Sequence, residues 1–182
     1  MTEHVVDDPV LRQRYVFRRA GETLEVDVWV DPGGGVVPHR HPDFEERFEV
    51  LSGEITFSLG RKRVRAGAGE SVVVAPGASH SYRNSGSAIA QMRCFADPPR
   101  AELQGFLEDA AALARAGGYT RQALPRSLRG LIGLAVIARS YRASTVILRP
   151  PVWLQRIVLD PFARLGARRG LRAGHFAEVM GM

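Results

Sequence analysis

Three of the five histidines in this chain lie in a pattern suited to binding a metal ion. His39 and His41 are separated by one residue, Glu46 follows five positions later, and His80 lies further along the chain. Residues two apart on a strand project from the same face, so the first two imidazoles can reach one point. Imidazole nitrogens and carboxylate oxygens bind first-row ions at about 2.0–2.2 Å. The four side chains therefore predict a metal site with three nitrogen ligands and one oxygen ligand.

Cysteine cannot supply the ligands of such a site, because Cys94 is the only cysteine among the 182 residues. An intrachain disulfide and a site built from several thiolates are both excluded. Three nitrogens and one oxygen leave one or two positions open on ions that favour five or six ligands. We therefore predict one divalent transition-metal ion as the cofactor (Fe, Mn, Ni, Zn or Cu), and these residue types leave its identity open.

The elements that must hold these side chains are predicted to be short antiparallel strands. Between residues 15 and 97 the chain reads as short apolar runs interrupted by glycine, proline and polar turns. In residues 24–30, Leu and Val side chains alternate with Glu25, Asp27 and Trp29, the period of two that places one face of a strand on a core. The pattern predicts a mainly β fold, a small barrel or sandwich.

The C-terminal part changes to helical periodicity. Apolar side chains in residues 103–113 recur at intervals of three and four, which predicts an amphipathic helix. A second helix is predicted over 128–141 with Ser127 as its N-cap. A third is predicted from Pro151, with Pro161 expected to kink or restart it.

We divide the chain near residue 98. Residues 1–98 are predicted to form a β-barrel domain with its core at about 20–97, and residues 99–182 an α-helical C-terminal extension. The extension is expected to pack on the barrel or on a second subunit. A homodimer with the apolar segment 131–138 as its buried surface is the favoured assembly.

The net charge of +6 is unevenly distributed. Residues 1–99 contain 12 basic and 14 acidic side chains, so the positive excess lies entirely in the C-terminal part. Lys62 is the only lysine, which indicates a general preference for arginine rather than a surface selected for phosphates. We interpret the basic face as solvated and predict no nucleic-acid partner. Attachment to an anionic membrane is a weaker alternative.

The sequence at the N-terminus has neither a basic leader nor an apolar core, and no stretch reaches the roughly 18 apolar residues of a membrane span. The expected location is the cytoplasm.

These residues resemble the cupin family, whose two motifs both have counterparts in the chain. The first motif is glycine, five residues, His-x-His, three or four residues, Glu, six residues, glycine. Every position is matched, by Gly33, His39, His41, Glu46 and Gly53.

The second cupin motif ends in a histidine followed, after three residues, by asparagine. Its counterparts here are Gly69, Gly77, His80 and Asn84, whereas Ala75 occupies the position where the family has proline. The resemblance spans roughly residues 20–97. It implies a double-stranded β-helix, or jelly-roll, barrel of six to eight strands with its metal inside.

Candidate residues for the wall of a substrate pocket follow from strand alternation. Side chains that share a face with the proposed ligands, or lie on the strand over 88–95, are expected to surround the ion. They are Phe48, Val50, Tyr82 and Met92. Arg93 would bind a substrate carboxylate if it pointed inward. Glu45 is interpreted as an outward-facing surface acid, with a carboxylate that orients a ligand imidazole, or a general base, as the alternatives.

Members of the family that this chain resembles have very different activities, so the reaction stays open. The leading hypothesis is an enzyme whose ion chelates a small organic substrate, in a dioxygenase-type oxidation or an isomerisation or cyclisation. The alternative is a non-enzymatic barrel that binds or senses a small ligand.

Overall fold

Eleven strands form two antiparallel sheets in residues 4–20 and 23–179, the part of the chain that the computed structural model describes. In chain order they are β1 (His4–Asp8), β2 (Gln13–Ala20), β3 (Thr23–Val30), β4 (His39–Arg40), β5 (Glu45–Ser52), β6 (Glu54–Leu59), β7 (Lys62–Gly67), β8 (Ser71–Val74), β9 (His80–Arg83), β10 (Ala90–Asp97) and β11 (Val146–Ile147). One sheet has the order β1-β2-β3-β10-β5-β8, and the other has the order β11-β4-β9-β6-β7.

Buried side chains from both sheets pack into a single core. Val26 of β3 and Phe48 of β5 come from the first sheet, and Phe57 of β6 and Tyr82 of β9 come from the second. Along β10 the buried and half-buried positions alternate from residue to residue, as the period of two predicts. The predicted antiparallel β barrel followed by a helical extension is confirmed.

Four helices follow the barrel in the described residues: α1 (Ala101–Arg115), α2 (Leu128–Ser140), α3 (Val152–Arg168) and α4 (Phe176–Val179). The Oγ of Ser127 accepts a hydrogen bond from the Gly130 amide at 3.0 Å, which confirms the predicted N-cap of α2. Pro161 lies inside α3, and the helix does not restart there. None of the helices in 4–20 and 23–179 is long and apolar enough to cross a membrane.

The helices have a core of their own and also contact the barrel. Leu113, Val136 and Phe176 are buried in the helical core. Ala111 of α1 packs into the barrel core, and Leu103 at the start of α1 packs with Phe44 and Ala96. The helix that follows the barrel therefore covers part of it directly. The division of the chain into domains near residue 98 stays a prediction.

Strand β11 is an element that the sequence did not predict. It lies between α2 and α3, yet it pairs with β4, where Ile147 is opposite His39 and Val146 is opposite Arg40. The Leu148 amide extends this pairing with a 3.0 Å hydrogen bond to the Pro38 carbonyl. A strand of two residues is too short to show any period. The extension thus adds an edge strand to the barrel beside a predicted metal ligand.

Candidate metal centre

The barrel brings the four predicted ligands together from three strands. His39 of β4 lies directly opposite His80, the first residue of β9, in an antiparallel pair. His41 follows β4, and Glu46 lies near the start of β5. All four side chains are buried, and one ligand atom from each lies within 4.8 Å of those of the other three. His41 also stacks on Phe44, with ring centroids 4.3 Å apart.

Backbone carbonyls hold each imidazole in the same tautomer. The Nδ1 of His39 is 2.9 Å from the Val37 carbonyl, and the Nδ1 of His80 is 3.1 Å from the Ala78 carbonyl. The Nδ1 of His41 is 2.9 Å from the carbonyl of Ser144. Because a carbonyl oxygen only accepts hydrogen bonds, each Nδ1 must donate. Each neutral ring therefore keeps its lone pair on Nε2, the arrangement typical of histidines that bind metals.

The Nε2 atoms meet the carboxylate of Glu46. Its Oε2 lies 2.9 Å from the Nε2 of His80 and 3.1 Å from the Nε2 of His41. The buried Nε2 of His41 has no hydrogen-bond partner, because its contact with Glu46 lacks the geometry of a hydrogen bond. The contact of His80 with Glu46 has the geometry of a hydrogen bond and so needs a proton between the two groups. A neutral ring in the tautomer fixed by the carbonyls has no such proton and faces the carboxylate with a lone pair. Such a set of converging acceptors needs a cation, either a proton or a metal ion, and so the residues fit a divalent metal.

The pKa values agree with this donor set. Burial, together with the neighbouring His80 and His41, lowers the pKa of His39 to about 3. Burial by itself would raise the pKa of Glu46, but the contacts with His41 and His80 hold it well below the usual value for a carboxyl group. Burial would likewise lower the pKa of His41, yet the Glu46 carboxylate raises it. At neutral pH the centre therefore contains an ionised carboxylate and a neutral His39.

Two groups at this centre were missed by the sequence reasoning. Cys94 donates from Sγ to Oε1 of Glu46 at 3.0 Å, and its own thiol is kept protonated because burial and Glu46 raise its pKa well above the usual value. Alternation along β10 could have identified Cys94, once the inner face of the strand was known. The carbonyl of Ser144 had no signal at all, since it is a backbone group far away in the chain.

A cavity of about 620 Å³ adjoins the cluster. Phe48 and Tyr82, both predicted to line it, do so. Val50 and Met92 do not, because they are fully buried in the barrel core and do not reach the cavity wall.

Arg93 is not available to bind a substrate carboxylate inside the barrel. Its guanidinium contacts the carboxylate of Asp27 through Nε at 2.6 Å and a terminal nitrogen at 3.2 Å. Arg93 and Asp27 are opposite each other on β10 and β3, on the face of the sheet away from the Met92 and Cys94 side chains. The inward orientation considered for Arg93 is therefore wrong. Glu45, expected on the surface, is half-buried and is not part of the cluster.

Comparison with known proteins identifies the barrel. Residues 26–95 match the family model of the cupin domain. The chain therefore carries a cupin domain over these residues. No curated protein sequence gives a significant match to the chain.

Solved structures similar to the chain include KdgF from Halomonas sp., at 19% identity over 55% of this chain and 91% of that chain, with a TM-score of 0.49. A second is an RmlC-like cupin from Shewanella frigidimarina, at 20% identity over 56% of this chain and 88% of that chain, with a TM-score of 0.48. A conserved protein with a double-stranded β-helix domain from Klebsiella pneumoniae is 23% identical over 45% and 73% of the two chains, with a TM-score of 0.42.

Proposed function

We propose that the protein binds one divalent transition-metal ion through His39, His41, Glu46 and His80, and that it acts as a metal-dependent enzyme on a small organic substrate. The observation that carries the proposal is the convergence of four ligand atoms within 4.8 Å, in a buried site with every Nδ1 engaged by a carbonyl. Fe, Mn, Ni, Zn and Cu all suit such ligands.

The chemistry of the reaction centre would come from the ion, and the chain would bind and orient the substrate. A divalent ion in this position acts as a Lewis acid that lowers the pKa of an enol or hydroxyl group, in an oxidation that uses dioxygen or in an isomerisation or cyclisation. Phe48 and Tyr82 lie on the cavity wall, where they exclude water from the reacting atoms. The Tyr82 hydroxyl donates to Gln13 at 2.8 Å, which fixes its ring.

Metal analysis of protein purified without a histidine tag tests the first half of the proposal. We expect about one ion per chain in the wild type and almost none in the double variant His41→Ala, Glu46→Ala. The matched control is Glu45→Ala, which removes the adjacent carboxylate outside the cluster and should keep the ion. Circular dichroism verifies that the variants are folded. Full metal content in the double variant, or none in a folded wild type, would contradict the proposal.

Turnover tests the second half. Oxygen uptake is measured with protein loaded with Fe(II), Mn(II) or Ni(II) and offered flavonols, diketones, thiols or catechols. The same mixtures are followed by NMR for isomerised or cyclised products. We expect turnover with wild type and none with the double variant. A metal-loaded wild type that converts none of these compounds would favour the non-enzymatic alternative.

A non-enzymatic ligand-binding or sensing function is favoured by the scarcity of further proton-transfer groups. Tyr82 and Cys94 are two ionisable side chains on the cavity wall that are influenced by the charge of Glu46. Both have pKa values raised well above their usual range, mainly by burial. Neither is suited to accept a proton at neutral pH. Reversible binding, with the ligand recovered unchanged from metal-loaded protein, distinguishes this function from catalysis.

A further inference from the structure

The wall of the cavity opposite the barrel is built by the helical extension. The barrel contributes apolar side chains such as Val26, Val28 and Phe48. The extension contributes apolar side chains from both α2 and α3, namely Leu131, Leu134, Ala135, Ala138, Val152, Leu154 and Leu159. At about 620 Å³, the cavity is within the range of roughly 300–1,000 Å³ that accommodates a small organic ligand. Its wall matches an extended apolar group.

The mouth of the same cavity is strongly basic. Six exposed arginines are among the residues that line it, and we call this exposed basic part of the lining the mouth: Arg40, Arg121, Arg139, Arg142, Arg149 and Arg156. Arg121 donates to the Gly33 carbonyl, whereas the other five have no carboxylate partner among the residues that the structure describes. Apart from Glu46 at the buried end, Asp160 is the only acid on the described wall. The mouth therefore attracts an anion.

We infer that the ligand of this cavity is an anionic amphiphile: an extended apolar chain that lies between the barrel and helices α2 and α3, with one carboxylate or similar group at the arginines. This names the ligand class for the site proposed above, and it rests on that proposal in taking this cavity as the substrate site. The guanidinium fork of an arginine matches a carboxylate. The inner end of the chain lies toward the His and Glu cluster, and the enol or hydroxyl group on which the ion would act is placed at that end.

Calorimetric titration of the full chain with saturated carboxylates tests the inference. Affinity should rise about fourfold for each added methylene group from hexanoate to decanoate, because each buried CH₂ contributes about 0.8 kcal/mol. Decanol, which has the same chain without the charge, should bind at least tenfold more weakly than decanoate. Affinity that is independent of chain length, or equal for alcohol and acid, would overturn the inference.

Two sets of substitutions test separately how the mouth and the apolar wall contribute to ligand binding. Arg139→Gln, Arg142→Gln should weaken decanoate binding about tenfold or more and leave decanol binding unchanged. The matched control is the double variant Arg61→Gln, Arg63→Gln, which removes two exposed arginines that do not line this cavity. It should leave the binding of decanoate and of decanol unchanged. Ala138→Trp, which fills the wall, should weaken both ligands. If both double arginine variants lost the same decanoate affinity, the attraction would be a general effect of charge, and the placement of the carboxylate at the mouth would be overturned.

Failure of this inference can be told apart from failure of the proposed function. Titration is repeated with His41→Ala, Glu46→Ala, in which the metal is expected to be lost. Decanoate should still bind, because its contacts lie at the mouth and along the apolar wall. Competition with phosphatidylglycerol vesicles then distinguishes a membrane lipid, which displaces decanoate, from a free carboxylate, which alone occupies the cavity. Either source is consistent with an anionic amphiphile, whereas binding of decanol alone is not.

Discussion

The Nδ1–H of His41 donates a 2.9 Å hydrogen bond to the backbone carbonyl of Ser144, which lies 103 residues later in the chain. The hydroxyl of Thr145 also lies 3.5 Å from the same nitrogen. The segment between α2 and β11 therefore fixes the ring orientation of a proposed metal ligand. A change in this segment should alter metal affinity although none of its residues is itself a proposed ligand.

Thr145→Pro should weaken metal binding by about 10–100-fold, the usual effect of losing a group that orients a ligand. The Thr145 amide donates to the Tyr141 carbonyl at 2.8 Å, and proline removes that donor and also restricts the backbone of Ser144. The control is Thr145→Val, which keeps the amide and loses only the hydroxyl. Competition titration with a chromophoric chelator gives both affinities. Equal affinities in two folded variants would show that Ser144 does not orient His41.

The metal-free protein should lose stability on the acid side of pH 6.5. The pKa of His39 is about 3 in the folded chain and 6.5 when unperturbed, so between these values the unfolded chain binds a proton that the folded chain does not. Stability therefore falls as the pH falls, by up to about 1.4 kcal/mol per pH unit. Below pH 4.5 the lowered pKa of Glu46 acts in the same direction.

The raised pKa of His41 acts in the opposite direction above pH 6.5, because there the folded chain holds the extra proton. Stability should therefore be highest near pH 6.5. Urea unfolding of chelator-treated protein at a series of pH values measures this. His39→Asn keeps a donor for the Val37 carbonyl but does not titrate, so its stability should fall less between pH 6.5 and 4.5. If the free energy of unfolding of His39→Asn fell with decreasing pH as much as that of the wild type, His39 would not be the cause of the decrease.

Cys94 should be inert to thiol reagents in the native protein. Its side chain is buried, and burial together with Glu46 keeps the thiol protonated, whereas the thiolate is the reactive form. Ellman's reagent should react only after the chain unfolds in denaturant. Rapid reaction of the native protein would show that this face of the barrel opens readily.

Removing the thiol should leave one oxygen of Glu46 without its donor. Cys94→Ala is expected to destabilise the metal-free protein by about 1–3 kcal/mol, because a buried charged acceptor loses its partner. Cys94→Ser keeps a donor and should lose less. Thermal unfolding compares the two variants, and identical losses would mean that packing rather than the contact with Glu46 decides the effect.

Asp27 should be important for the stability of the barrel although it lies outside the candidate centre. Its carboxylate is almost fully buried and contacts both Arg93 and Arg18. Asp27→Ala should lower the free energy of unfolding by about 2 kcal/mol, less than the roughly 3–5 kcal/mol of a fully buried pair, because water still reaches Arg93.

The control for Asp27 is Glu25→Ala, since Glu25 also faces Arg93, at 3.7 Å, but is more exposed. It should change the free energy of unfolding by less than about 1 kcal/mol. Denaturant unfolding measures both variants. If Glu25→Ala lowered the free energy of unfolding more than Asp27→Ala, Glu25 rather than Asp27 would be the more important partner of Arg93.

The sequence by itself determined the elements whose signal is local. Alternation of apolar residues identified strands such as β3 and β10, and Ser127 identified the start of α2, because a period and a capping side chain depend only on near neighbours in the chain. Strand β1 lies before the residues where this pattern was read. The four residues of the candidate centre were also evident, since few side-chain types bind metals. His39, His41 and Glu46 are closely spaced, and His80 lies in the second motif. The face of its strand on which Arg93 lies, by contrast, could not be decided from the sequence. Val50 and Met92 were expected on the cavity wall but lie in the barrel core.

Only the tertiary structure decided how the helical extension relates to the candidate centre. The pairing of Ile147 with His39 and the hydrogen bond from His41 to Ser144 join parts of the chain more than 100 residues apart. Contacts of this kind depend on how the barrel and helices pack, and a backbone carbonyl leaves no mark on the amino-acid type that carries it. The same packing creates the cavity between barrel and helices, which neither segment could form alone.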